Sequence, residues 1–195
     1  MTEILVLVHS VHGNTLRLAR EAARGVDSVE RATARLRMVP PITSALDPER
    51  CEPPEDGPAI VDRADLHECD GLILGSPTRF GNMAAPVKHF LDSTAAEWFS
   101  GTLVGKPAGV LTSTASLHGG QETTLLSMMI PLLHHGMLIV GIPYTEKALN
   151  ETDAGGTPYG ASHWAGTDSD RPHTKEEISL ARALGRRVAM VAGRC

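Results

Sequence analysis

Three short stretches hold most of the small, polar and aromatic residues whose types and spacing suit chemistry. They are Ser10-Val11-His12-Gly13-Asn14-Thr15, Pro77-Thr78-Arg79-Phe80-Gly81, and Ser113-Thr114-Ala115-Ser116-Leu117-His118-Gly119. Each follows a short apolar run and, but for the second, runs straight into a helical pattern. The first offers backbone N–H groups, two hydroxyls and an amide at the head of a helix, a setting that suits an anion and best a terminal phosphate monoester. Ser10, Asn14 and Thr15 supply donors, and Gly13 allows the backbone to come close. The stretch is neither G-x-G-x-x-G nor G-x-x-x-x-G-K-[ST], so the two common nucleotide fingerprints are absent. Without a loop lysine or an evident magnesium carboxylate, phosphoryl transfer lacks its main tools. The plainer alternative is that Ser10 and Thr15 only cap the helix.

The elements that must position these stretches read clearly. The runs 3–8, 69–77, 106–114 and 137–143 are short, apolar and continuous, as strands buried on both faces should be. An alternating run over 34–39 reads as a further strand, nearer an edge. Helical patterns occupy 14–25, 60–67, 83–94, 120–135 and 174–193, the last opening with Thr174 and Glu177 in capping-box spacing. Residues 40–59 are rich in proline and read as a surface loop. Residues 144–172, rich in Gly, Thr, Asp and Pro, read as a long irregular excursion. Strands alternating with helices predict a doubly wound α/β domain covering 1–195, with the dinucleotide-binding order or the flavodoxin-like order 2-1-3-4-5. In such sheets ligands bind beyond the carboxyl ends of the strands. The three polar stretches follow strands one, three and four, which places them on one edge.

Composition narrows the function classes. The chain has 195 residues, 42% of them apolar and 21% charged, and a net charge of −5. That balance argues against a nucleic-acid surface. No apolar stretch reaches the ~20 residues of a membrane span, and Glu3 in place of a basic n-region argues against a signal peptide. Cys51, Cys69 and Cys195 stand far apart, as expected of a cytoplasmic protein without a disulfide framework. The nine histidines are scattered, and no metal site is expected. The one adjacent pair, His134–His135, directs its members to different faces.

The stretches SPTRFGNMAAPVKHFLD and TSTASLHGGQETT, with LLHHGMLIVGIPY (132–144), GGTPYGA (155–161) and AG.D (165–168), resemble the WrbA family of flavodoxin-like NAD(P)H:quinone oxidoreductases. The resemblance covers nearly the whole chain and fails mainly over 40–60. It implies the order 2-1-3-4-5, an FMN cofactor, NADH or NADPH as reductant, a quinone as acceptor, and a homotetramer. It implies that Ser10, Val11, His12, Gly13, Asn14 and Thr15 hold the ribityl phosphate. Pro77, Thr78, Arg79, Phe80 and Gly81 would line one edge of the flavin ring, and Ser113 to Gly119 the other. His134 would reach the flavin region as a catalytic proton donor. Trp98 and His12 would contact substrate, although the family often has tyrosine where His12 stands.

The chemistry implied is hydride transfer from the nicotinamide to the flavin, departure of the oxidised nicotinamide, and reduction of the quinone at the same face in a ping-pong cycle. Two alternatives differ in class. A flavodoxin-type one-electron carrier is as a family more acidic and flanks its flavin with aromatics, whereas aromatics are 4% here. A non-catalytic FMN-binding regulatory module would need a recognition surface that no stretch of the sequence supplies.

Overall fold

The computed structural model describes residues 1–42 and 57–194. The core of the proline-rich loop, Cys51 and Cys195 therefore lie outside the described residues. The elements in chain order are β1 (Thr2–Val8), α1 (Asn14–Asp27), β2 (Ala32–Met38), α2 (Arg63–Glu68), β3 (Gly71–Arg79), β4 (Asn82–Met83) and α3 (Ala85–Asp92). They continue with α4 (Ala95–Phe99), β5 (Pro107–Thr114), α5 (Gln121–His134), β6 (Leu138–Ile139), α6 (Ala148–Glu151), β7 (Ala161–Trp164) and α7 (Lys175–Ala192). The main sheet is parallel in the order β2-β1-β3-β5-β6, which is the expected order 2-1-3-4-5 once the strands are counted as the sequence showed them.

Alternation along β1 divides the core. Ile4, Val6 and Val8 pack with Leu18, Ala22, Leu184 and Val188 under α1 and α7. Leu5 and Leu7 point to the other face, against Leu72, Leu125, Met128 and Leu132 beneath α5. These side chains are essentially inaccessible, and all but Ala22 contribute about 1.5–3 kcal/mol each of apolar transfer free energy. The sheet is thus covered on both faces, and its carboxyl edge is the open rim.

Helix starts follow local chemistry. Asp62 caps α2 through the Ala64 N–H and forms a capping box with Asp65, so that helix begins at Arg63 rather than at 60. Ala84 is extended and Pro86 sits in the first turn of α3, which begins two residues later than its apolar pattern. Thr174 and Glu177 form the expected capping box on α7. The short helix α4 has no sequence signal beyond AAEWF and was not anticipated.

The excursion 144–172 is not irregular throughout. It contains α6, and β7 within it pairs in parallel with the carboxyl half of β5, Leu111 to Thr114 against Ala161 to Trp164. β6 pairs only with Pro107 and Ala108 at the other end of β5. The fifth sheet position is therefore shared by two short strands, because Gly141 and Pro143 end the first after two residues and the chain returns to finish the pairing. β7 brings its own end to the same rim as the three polar stretches.

Candidate functional site

At the first loop, Gly13 takes a left-handed φ of 82° and a Cβ there would meet nothing within 4 Å. No side chain caps the helix at that position. Among the described residues, the backbone N–H groups of Val11, His12, Gly13, Asn14 and Thr15 find no acceptor within the chain, the next donor, Leu16, being taken by the Ser10 hydroxyl at 3.3 Å. Five consecutive free donors at the positive end of a 14-residue helix form a concave anion site. Val11 and His12 are exposed, and Thr15 is buried beneath them with its hydroxyl unpartnered among the described residues. The cap role weighed for Ser10 is thus real, and it leaves the preceding N–H groups open.

Asn14 does something else. Its buried amide donates to the Ser169 carbonyl at 2.8 Å, and its Oδ1 accepts from Arg17 at 2.6 Å. The side chain anchors the first loop to the excursion, leaving the Asn14 main-chain N–H facing the cradle. Ser169 carries an unusual φ of 58° that presents this carbonyl.

The second loop is the β3–β4 turn. Thr78 pairs with Met83 and Arg79 with Asn82, and the Thr78 hydroxyl accepts from Thr124 at 2.8 Å. Pro77 and Thr78 are half-buried. The Arg79 guanidinium donates to the Thr78 carbonyl at 2.8 Å and otherwise faces solvent. Phe80 has a left-handed φ of 52° and is fully exposed at the tip. His9, at the end of β1, lies behind this loop. Burial, and then the nearby Arg79 charge, push its imidazole down to about 4, so it is neutral at pH 7. Sequence reading passed over it.

The third loop is tied internally. Thr114 donates to the Ser116 carbonyl at 2.9 Å, Gln121 to that of Leu117 at 3.0 Å, and the Gly119 N–H to Ser116 at 3.1 Å. Ser113 and Thr114 are buried, while Ala115, Ser116 and His118 are exposed at the rim. The second and third loops touch backbone to backbone. A Cβ on Gly120 would lie 2.8 Å from the Gly81 Cα, and both residues have positive φ. Trp164 at the end of β7 joins them: its indole N–H donates to the Ala115 carbonyl at 3.2 Å, and the Arg171 guanidinium lies 3.7 Å over its face. The only sequence signal for Trp164 was a lone indole inside the excursion.

His134 does not join this rim within one chain. α5 begins beside the third loop and runs 14 residues to His134, a length of about 20 Å. It ends next to β6, which pairs with the first residues of β5. Trp98 lies at that far end too. Its indole donates to the His134 carbonyl at 3.1 Å and stacks on the His134 ring at 5.6 Å between centroids. Together they line an open, mostly apolar cavity of about 420 Å³ with Ala95, Ile130 and Pro131. His135, by contrast, is buried against Thr94 at 2.9 Å, and burial foremost lowers its pKa. No group of three or more His, Cys, Asp or Glu side chains suited to a metal occurs among the described residues, and no described helix is long and apolar enough to cross a membrane.

Residues 2–146 match the model of the family described as NADPH-dependent FMN reductase. Over 203 residues the chain is 43% identical to an NAD(P)H dehydrogenase (quinone) of Trichlorobacter lovleyi, covering 100% of this chain and 98% of that protein. It is likewise 43% identical over 198 residues to one of Chromohalobacter salexigens, with the same coverage. Among solved structures it is similar to a WrbA-like flavodoxin of Agrobacterium tumefaciens, at 26% identity and a TM-score of 0.69, covering 100% of this chain and 99% of that one. Flavodoxin 1 of Bacillus cereus, 17% identical with a TM-score of 0.62 over 97% and 98% of the chains, shares the fold.

Proposed function

Because the chain belongs to the NADPH-dependent FMN reductase family, we propose that it works as an FMN-dependent NAD(P)H:quinone oxidoreductase in which both substrates use one site in turn. The observation that carries this reading is the run of five unpaired N–H groups from Val11 to Thr15 on the rim where the second and third loops converge. A phosphate monoester satisfies those donors together, and the apolar and polar walls beyond it suit a flat ring. The sequence carries neither of the two common nucleotide fingerprints that would hold an adenosine half, which favours FMN over FAD.

Bound FMN supplies the two-electron redox chemistry; the chain's residues bind, orient and shield. The 11–15 backbone and the Thr15 hydroxyl hold the phosphate. Residues 77–81 and 113–119 flank the ring, and Arg79 sets a positive charge at its edge, where it favours the anionic reduced form. His12, exposed beside the cradle, is placed to meet the incoming nicotinamide.

Trp98 and His134 serve another copy of the chain. They lie at the opposite edge of their own sheet, and α5 exposes Leu126, Ile130 and Leu133 at one-turn spacing, with Phe99 and Val104 nearby also exposed. An apolar face of this kind marks an association surface. In a homotetramer of two-fold symmetry, Trp98 of one chain roofs the cofactor of the next, and His134 donates a proton to the quinone oxygen. Reduced nicotinamides as substrates and a buried free thiol at Cys69 suit the cytoplasm.

The test is the absorbance spectrum of the purified protein reconstituted with FMN, followed under nitrogen. Bleaching on addition of NADH or NADPH, recovery on addition of benzoquinone, and parallel double-reciprocal lines in steady state are expected. Failure to retain FMN, or retention without bleaching, overturns the reading and favours a carrier or a regulatory module.

A further inference from the structure

Behind the rim lies a buried polar cluster that the proposed chemistry does not use. Glu177 is 1% exposed and is the third residue of α7. One of its oxygens accepts from the Gly155 N–H at 2.8 Å and the Trp164 N–H at 3.0 Å. The other accepts from the Thr174 N–H at 2.8 Å and faces His163 Nδ1 at 2.9 Å. Only the Thr174 bond belongs to the helix cap. Burial by itself raises the carboxyl pKa, but hydrogen bonds from His163, Thr174 and Trp164 outweigh it and hold the group below its ordinary value. It is therefore a carboxylate at neutral pH, and His163 donates to it.

Two arms leave this carboxylate, and each ends on a different loop of the rim. Trp164, held by its main chain, donates its indole N–H to Ala115 in the third loop at 3.2 Å. His163, held by its ring, stacks on His173 with centroids 3.8 Å apart and the planes 12° from parallel. The Asn14 main chain lies beside the His173 ring, and the Asn14 amide is held by Ser169 at 2.8 Å. The first residue of α1 is thus gripped from two sides of the 169–173 turn.

Packing alone does not account for this arrangement. The Nε2 atoms of His163 and His173 are both buried without a partner, and such orphaned groups cost stability that apolar side chains would not. A buried ion pair is likewise weak evidence of stabilisation. What the cluster does supply is geometry: one anion fixes three separate segments, 152–156, 163–164 and 173–174, which together carry contacts to the first and third loops.

We propose that Glu177 is a positioning residue for the cofactor site, acting through His163–His173 on the phosphate-binding first loop and through Trp164 on the third loop at the ring edge. The proposal rests on the FMN reading. The two arms predict different selectivities, because one ends at the phosphate and the other at the ring.

The experiment compares dissociation constants for FMN and riboflavin, from quenching of flavin fluorescence, in wild type, H173N, W164F and E177Q, with the urea midpoint of each apoprotein alongside. H173N removes the ring stacked on His163 and should weaken FMN about tenfold, about 1.4 kcal/mol, and leave riboflavin within twofold. W164F should weaken FMN and riboflavin by the same factor, about three- to tenfold. E177Q should weaken both, FMN more. A merely structural role shifts the urea midpoint without separating the two flavins. His173 is partly exposed and Trp164 is half-buried, so H173N and W164F decide the matter even if E177Q does not fold. FMN affinities within twofold of wild type in both, or an equal loss of the two flavins in H173N, overturn the proposal. Wild type that binds neither flavin instead overturns the FMN reading.

Discussion

The contact between Gly81 and Gly120 makes a quantitative claim about how the second and third loops are joined. Gly13 and Gly120 both sit at left-handed φ, 82° and 95°, but an added Cβ meets open space at Gly13 and backbone 2.8 Å away at Gly120. G13A and G120A therefore share one cost and differ in another. The shared cost is an L-residue in the left-handed region, about 1–2 kcal/mol, partly offset by about 0.4–1 kcal/mol through the lower entropy of the unfolded chain. G13A should accordingly lose about 1 kcal/mol. G120A must also push the loops apart, and forced packing of one carbon typically adds about 1–3 kcal/mol, for a total near 2–4 kcal/mol. Urea unfolding of the two apoproteins, with equal slopes to exclude changes in the denatured state, measures the difference. G120A should also weaken FMN, since the loops it separates flank the ring. A loss in G120A no greater than that in G13A would show that the loops are not locked through these two residues.

Replacing Thr15 by Leu removes a buried hydroxyl and crowds the cradle, so FMN affinity should fall tenfold or more, the scale of about 1.5–3 kcal/mol for a charge-assisted hydrogen bond; unchanged affinity in calorimetric titration would leave the first loop as a helix cap only. W98A removes the ring stacked on His134 and should raise the quinone KM while leaving the rate of reduction by NAD(P)H intact in single-turnover measurements; a strictly monomeric chain in sedimentation with full quinone activity would defeat the shared site. Burial foremost pushes His9 and His173 down to about 4 from an ordinary value near 6.5, so the unfolded chain binds more protons than the native one between those values. Their contribution to stability is complete above about pH 6.5 and is lost as pH falls toward 4; the depressed Glu177 pKa adds a loss in the same direction below the ordinary carboxylate range. H173N should flatten the pH dependence of the unfolding midpoint between pH 4 and 6.5 by about one proton, and an unaltered slope would contradict the burial assigned to that ring.

Local signals carried the sheet, and long-range ones did not. Continuous apolar runs identified β1, β3, β5 and β6, and the three polar stretches behind strands one, three and four stand on one rim because parallel strands all end there. β7 was missed because Ala161-Ser162-His163-Trp164 has neither alternation nor an apolar run; its strand character comes from the free carboxyl half of β5. Glu177 was legible only as a cap partner of Thr174, three residues away. Its bonds to His163, Trp164 and Gly155 come from 13 to 22 residues away, and no local pattern encodes them. The role of His134 comes from resemblance alone, and the length of α5 sets it at the end of its own subunit away from the rim. The type of Asn14 suits a ligand donor, and no local pattern shows that its amide also reaches the Ser169 carbonyl 155 residues away.

The two ends of the subunit explain each other. The rim that carries the three loops is cross-braced: Gly81 abuts Gly120, Asn14 is tied to Ser169, and Trp164 is tied to Ala115. Yet the rim leaves Phe80 fully exposed, and its other aromatic among the described residues, Trp164, is tied to Ala115 and covered by Arg171. The far end has the opposite character. Trp98 and His134 line a formed cavity, and no rim-loop residue is among the described residues that line it. A ring bound at the cradle needs shielding from water for two-electron delivery to a quinone, and the Trp98–His134 pair needs something flat to cover. The separation is set by the 14 residues of α5, about 20 Å along the helix. On the function proposed above, association through the exposed Leu126, Ile130 and Leu133 face of α5 would satisfy both ends at once, and the expectation that follows is that assembly conditions quinone reduction rather than cofactor binding.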